Sequence, residues 1–327
     1  LQHRHCFILL TPIAASSSEK RCSHGVKKNS LPAKYHFSDI LGHSPAVQKA
    51  IRLAQYYSGT DETILIFGES GTGKELYAQA IHNASARKNE VFVAINCAAM
   101  PENLLESELF GYEEGAFTGA KKGGRLGLLE ISHQGTLFLD EVEGMSPALQ
   151  VKLLRVLQER EIMRVGGTSI IPIDVRIVAA TNESLERKVA EGTFRRDLYY
   201  RLSTLPIVIP PLSERGDDLF LILEQFQKEL GGSFRLTPQV RGFLKSYSWP
   251  GNIRELRNVV EYFLYTGHDP ITMEDLPPTV FHRAPQAPIR QLPETPQQPS
   301  SDVFRFVLEQ LYQASEARQP IGRQRRF

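Results

Sequence analysis

The sequence predicts an α/β domain with a parallel sheet covered by helices on both faces, a three-layer arrangement, followed by a small all-helical domain. Three observations carry this reading. The runs TILIF (63–67), VFVAI (91–95), TLFLD (136–140), VRIVAA (175–180) and PIVI (206–209) are short and apolar at consecutive positions, the mark of strands buried on both faces. Helical stretches separate most of them, as strands of a parallel sheet require. After Pro210-Pro211 the strand signals stop, and three helical stretches follow.

Residues 1–36 read as a poorly ordered leader. The opening LQHRHCFILLTPIAASSSEK weakly imitates a secretory signal, but Thr11 and Pro12 interrupt its apolar run. The chain begins at Leu1, not Met, so a fragment or a processed product is expected. The α/β domain spans 37–211. It opens with a helix over 45–57, where Val47, Ile51, Ala54 and Tyr57 recur at helical spacing. Residues 76–84 are helical, as are 101–110, with Pro101 near the first turn. Residues 147–159 form an amphipathic helix with Leu149, Leu153, Val156 and Leu157 on one face. The helical domain spans 212–276, with helices at 219–230, 237–247 and 252–264. Residues 277–300, rich in Pro and Gln, have a linker's composition. An amphipathic helix over 301–314 and a basic tail complete the chain.

The 327 residues carry a net charge of +1, but unevenly: residues 1–34 hold six Lys/Arg against one Glu, and 312–327 hold four Arg against one Glu. The central block is therefore acidic and poorly suited to coating DNA, whose phosphates attract a basic surface. No apolar run reaches the roughly 18 residues of a spanning helix. Cys6, Cys22 and Cys97 are far apart and odd in number. They imply no disulfide framework, and a reducing cytoplasm is the expected location.

The chemistry begins at Gly68, Glu69, Ser70, Gly71, Thr72, Gly73 and Lys74, which follow a strand and open a helix. Glycines let successive backbone N–H groups curl around a phosphate. The helix N-terminus adds its positive end, and Lys74 neutralises the terminal phosphates of a nucleotide. Glu75 stands where a Ser or Thr would help hold Mg²⁺, so the metal relies on other groups. Asp140, at the end of an apolar strand, suits Mg²⁺; Glu141 suits polarising the attacking water. Asn182 ends another strand, where it would sense the γ-phosphate or position water, or else cap the helix that follows. Arg195, Arg196 and Arg201 offer permanently charged forks for a transferring phosphoryl group, or are plain surface arginines.

GYEEGAFTGAKK (111–122) presents Phe117 from a glycine-rich loop, where an exposed aromatic risks sticking to other proteins. With GESGTGKE, NCAAMPENLLESELFGYEEGAFTGA, GTLFLDEVEG, VRIVAATN, GTFRRDLYYRL and WPGNIRELRNVVE, it resembles the P-loop AAA+ domain of bacterial sigma-54-dependent transcription activators, with its helical lid. The resemblance covers about residues 37–276. It implies that Gly115, Ala116, Phe117, Thr118, Gly119 and Ala120 form the loop tip that contacts sigma-54 and the promoter complex. It implies that Asn96 contacts Glu141 and links nucleotide state to loop position. It implies that Arg195 and Arg201 act across a subunit boundary in a hexameric ring, and that Arg254 reaches ATP from the lid. The expected activity is Mg²⁺-dependent ATP hydrolysis that remodels the closed complex of sigma-54 RNA polymerase holoenzyme.

The sequence departs from the family pattern at EVEGM (141–145), where E-I-G-E-M is commoner, and at GGRLGLLEIS (123–132). No sensory domain precedes Phe37 in these residues. The segment 301–327 reads as either the start of a truncated DNA-binding domain or a disordered tail, and promoter or enhancer DNA would be bound through it or through a missing domain. Two other functions compete: a different AAA+ motor, and a nucleotide-binding assembly module without turnover.

Overall fold

The computed structural model describes residues 33–281, and residues 1–32 of the expected leader, the linker after 281, the 301–314 helix and the basic tail lie outside them. In chain order the elements are α1 Pro45–Ser58, β1 Ile64–Phe67, α2 Lys74–Asn83, β2 Phe92–Asn96, α3 Glu102–Phe110, β3 Gly111–Tyr112 and β4 Arg125–Leu126. They continue with α4 Leu128–Ile131, β5 Thr136–Asp140, α5 Pro147–Glu159, β6 Glu161–Ile162, β7 Ile171–Pro172, β8 Arg176–Thr181, α6 Leu185–Ala190, α7 Arg196–Leu202 and β9 Leu205–Val208. The helical part holds α8 Asp218–Glu229, α9 Pro238–Ser246 and α10 Asn252–Thr266. A short α11, Pro278–Phe281, begins a second compact unit.

Five strands form one parallel sheet in the order β2-β5-β8-β1-β9. Side chains alternate across a strand, and the core divides accordingly. Leu65, Leu137, Leu139, Ile177 and Ala179 point to one face and pack with α3 and α5. Ile64, Ile66, Phe138, Val178 and Ala180 point to the other and pack with α1 and α2. Apolar residues at consecutive positions are thus consumed on both faces, as the sequence pattern requires.

The amino edge of the sheet is held by buried polar groups. Arg176, fully buried on β8, donates to the carbonyls of Tyr57 (2.8 Å) and Ser58 (3.1 Å) at the end of α1. A cation suits a helix C-terminus, although burial lowers its pKa to about 10. His82 on α2 pairs with the Thr136 hydroxyl at 2.9 Å and is 1% exposed. Burial pushes its pKa from 6.5 down to about 4. The unfolded chain therefore takes up this proton first, and stability falls as pH drops from about 6.5 to about 4. The expected loss is on the order of 3 kcal/mol. Urea melts across this range should show it, and His82→Asn should flatten that part of the profile.

Among the described residues no helix is long and apolar enough to cross a membrane.

Candidate nucleotide site and loop

Parallel pairing brings the sequence motifs to one edge. Asn96 and Asp140 are register partners at the ends of β2 and β5. The Cys97 N–H donates to the Asp140 carbonyl at 2.8 Å, and the Gly68 N–H to the Thr181 carbonyl at 3.2 Å. The phosphate loop, Asp140-Glu141, Asn96 and Asn182 therefore share the carboxyl edge, where ligands bind in such sheets.

α2 starts at Lys74 itself, so the free N–H groups of its first turn face the loop. Lys74 is buried, and its ammonium donates to the carbonyls of Gly68 (2.8 Å) and Glu69 (3.3 Å). Burial lowers its pKa despite the attraction of Asp140, Glu143 and Glu141. Burial likewise raises the pKa of Asp140, against the pull of Lys74. Both partners shift toward neutrality, so desolvation outweighs their attraction, and an entering phosphate would supply Lys74 with the counter-charge it lacks. Glu141 sits in the left-handed region at φ 53°, and its N–H donates to the Asp140 carboxylate at 3.0 Å.

These residues fit a magnesium ion held mainly by nucleotide phosphates. Asp140 offers one half-buried carboxylate that Lys74 attracts, and Mg²⁺ commonly uses one or two carboxylates plus phosphates. Among the described residues no cluster of three or more His, Cys, Asp or Glu forms a self-sufficient cage. Glu75 is exposed and accepts from Gln79 Nε2 at 2.9 Å.

The lid is bonded directly to the phosphate loop. The Ile253 N–H donates to the Gly71 carbonyl at 3.0 Å. Arg254 reaches the Ser70 hydroxyl at 3.2 Å. Asn252, missed in the sequence, is fully buried; its Nδ2 donates to Glu69 Oε2 (2.9 Å) and the Ser70 carbonyl (3.1 Å), and its Oδ1 accepts from the Leu212 N–H (2.7 Å). Arg215, also missed, links the Thr72 carbonyl (3.0 Å) to that of Pro210 (2.9 Å). Asn252→Ala would strand a buried N–H and loosen the loop, at a cost of about 2 kcal/mol. A thermal melt with a matching loss of nucleotide affinity should report it.

Beside the loop lies a cavity of about 680 Å³, walled by residues 34–35 and 38–41, by Thr72, Gly73, Leu76 and Tyr77, and by Phe226, Ile253 and Arg254 of the lid. Its size and mostly apolar walls suit a small ligand with a phosphate end. Asp218 joins the entry segment to the lid by accepting from the N–H groups of His43 (2.6 Å) and Ser44 (3.0 Å). Burial would raise its pKa, but those donors prevail and hold it below the ordinary value.

Among the described residues, two expected contacts are not formed. Asn96 Oδ1 accepts from the Ala98 N–H at 2.9 Å, and no hydrogen bond joins it to Glu141. Asn182 is not a helix cap; Ser184 caps α6, accepting from Arg187 N–H at 3.2 Å. Arg195 and Arg201 do not line the nucleotide cavity. Arg195, exposed, pairs with Asp197 through both nitrogens of its fork, at 3.0 and 2.6 Å. Arg201 donates to the Leu157 carbonyl at 3.1 Å.

The GAFTGA loop rises from the end of α3 between β3 and β4. Gly115 (φ 79°) and Gly119 (φ 98°) adopt left-handed conformations on either side of Phe117 and Thr118, which side chains there would resist. The loop base is fixed: the Glu113 N–H donates to the Val165 carbonyl at 3.0 Å, and Arg164 bridges Glu113 (3.1 Å) and Glu130 (2.8 Å). At the tip Phe117 is 45% exposed, its ring edge-on to Tyr112 at 5.0 Å between centroids.

The family description "Sigma-54 interaction domain" matches residues 40–208, and "AAA+ ATPase lid domain" matches 213–292. A signal-transduction and transcriptional-control protein of Clostridium beijerinckii is 53% identical over 70% of this chain and 37% of its own length. The Nif-specific regulatory protein of Herbaspirillum seropedicae is 50% identical over 71% of this chain and 43% of its own. Regulatory protein AtoC of Escherichia coli is 46% identical over 76% and 55%. The chain thus spans roughly half or less of these curated relatives. The crystal structure of NtrX from Brucella abortus in complex with ATP superposes with a TM-score of 0.70 at 35% identity, covering 85% of this chain and 61% of that one.

Proposed function

We propose, because this chain belongs to the family of sigma-54 interaction domains, that it hydrolyses ATP to remodel the closed promoter complex of sigma-54 RNA polymerase. The observation that carries the reading is one covalent path. β2 ends at Asn96 beside the Asp140-Glu141 edge; α3 follows and leads directly into the loop that exposes Phe117. A change at the phosphate edge has a short, stiff route to the loop tip.

In this reading residues 68–74 cradle the phosphates and Lys74 neutralises their charge. Asp140 would hold Mg²⁺, which would supply Lewis-acid charge to the phosphate oxygens. Glu141 polarises the attacking water, and Asn182 senses the γ-phosphate. Arg254 follows nucleotide occupancy from the lid. Arg195 and Arg201, turned away from their own cavity, serve the neighbouring subunit of a hexameric ring. Phe117 and Thr118, flanked by Gly115, Ala116, Gly119 and Ala120, press on sigma-54. Promoter or enhancer DNA is bound by another part of a longer protein, in the cytoplasm.

Phosphate release with Mg²⁺ and ATP, followed by open-complex formation on a sigma-54 promoter, tests the reading. A chain that binds ATP but gives neither would overturn it. Lys74→Ala should weaken ATP binding by about a hundredfold, since a buried charge-assisted contact is lost. Titration with a fluorescent ATP analogue measures this.

A further inference from the structure

Glu143 has no role in the reaction described above, yet it sits at the nucleotide edge. Its Oε1 accepts from the Asn182 backbone N–H at 3.2 Å. Its Oε2 is shut off from solvent and has no hydrogen-bond partner among the described residues. A buried carboxylate oxygen in that condition is costly, and such groups normally find a donor. The carboxamide of Asn182 is partly buried, belongs to the very residue whose backbone holds Glu143, and makes no hydrogen bond among the described residues. Glu143 and Asn182, 39 positions apart in the chain, are thus joined through the Asn182 backbone, while Glu143 Oε2 and the Asn182 carboxamide have no hydrogen bond among the described residues.

The local backbone explains why the acid stands at this position. The turn at 142–144 presses Gly144 against the Asn96–Ala98 segment. A Cβ at Gly144 would lie 2.9 Å from Ala98 Cβ and 3.1 Å from its Cα. The order Glu143-Gly144 lets the turn close on Ala98 while the carboxylate faces Asn182. The commoner order, with glycine first, would remove that carboxylate and crowd Ala98.

We propose that Glu143 is a positioning residue that competes with the γ-phosphate for the Asn182 side chain. Without a γ-phosphate, the Asn182 carboxamide turns from its position in the structure, where it makes no hydrogen bond among the described residues, so that Nδ2 donates to Glu143 Oε2. When ATP arrives, the same N–H turns to the γ-phosphate oxygen. Asn182 is thereby a two-position sensor, and Glu143 defines its resting position. This rests on the ATP reading of the site.

The test is equilibrium binding of ATPγS and of ADP, with Mg²⁺, to the 327-residue chain. Removing the competitor should tighten ATPγS binding by about tenfold in Glu143→Ala, the worth of one hydrogen bond to a charged group. ADP affinity should stay within about twofold, since a diphosphate offers Asn182 nothing. Glu143→Gln keeps the bond to the backbone N–H and the shape of the site, and should show a smaller gain of the same kind. It decides the matter if Glu143→Ala does not fold. In an Asn182→Ala background both gains should vanish, which separates a switch from loss of a negative charge near the phosphates. Equal shifts for ATPγS and ADP, no shift, or a gain that survives without Asn182 would each overturn the proposal. Wild-type protein that binds neither nucleotide would instead overturn the ATP reading beneath it.

Discussion

Phe117→Ala is expected to hydrolyse ATP within about twofold of the wild-type rate and to form no open complexes. The physical grounds lie in the loop. Phe117 is 45% exposed and touches Tyr112 through one edge-on ring contact. Such a pair contributes about 0.5–1.5 kcal/mol, and the loop base keeps its bonds to Val165 and Arg164 without it. Truncation should therefore leave the fold and the phosphate edge alone. It removes the one large apolar group that the tip presents, and a contact surface centred on an aromatic anchor depends heavily on that anchor. Permanganate footprinting of the promoter, run beside phosphate release on the same preparation, measures both halves. Open complexes formed normally by Phe117→Ala would refute the assignment of the loop as the sigma-54 contact.

Arg201→Ala is expected to bind ATP within a few-fold of wild type and to lose about 10³-fold in turnover, the scale of an arginine that stabilises transferring phosphate. Among the described residues the Arg201 side chain hydrogen-bonds only to the Leu157 carbonyl, so its removal should cost little stability. The decisive measurement is a mixing experiment. Lys74→Ala subunits keep Arg201 but lack a working phosphate loop. Arg201→Ala subunits have the reverse defect. If the arginine acts across a boundary, mixtures should recover hydrolysis that neither variant shows alone. Full turnover by Arg201→Ala alone would remove this residue from the mechanism.

The sequence was most informative where one physical constraint acts on consecutive residues. Strands buried on both faces must be apolar throughout, so all five strands of the main sheet were legible. The phosphate loop was legible because backbone curvature demands its glycines and phosphate charge demands Lys74. The two-residue pairs β3–β4 and β6–β7 left no trace, since a strand that short has no periodicity to detect. Asn252 and Arg215 were missed for another reason. Their hydrogen bonds join segments far apart in the chain, and an Asn after Pro-Gly reads locally as an ordinary turn residue. Glu143 was visible as a departure from the family order, but its meaning lay in Ala98 and Asn182, which only the packed sheet brings beside it. The expected contact of Asn96 with Glu141 was a property of a family and not of local spacing, and here Asn96 is turned to Ala98 instead.

The bonds from Asn252, Ile253 and Arg254 to residues 69–71 also constrain timing. A lid fastened to the loop that holds the phosphates cannot swing aside as a free door. Under the proposed ATP reading, product departure must either break several hydrogen bonds at once or carry the loop along with the lid. The slow event of each cycle would then be ADP escape, with bond cleavage faster, and weakening these tethers would exchange residence time for speed.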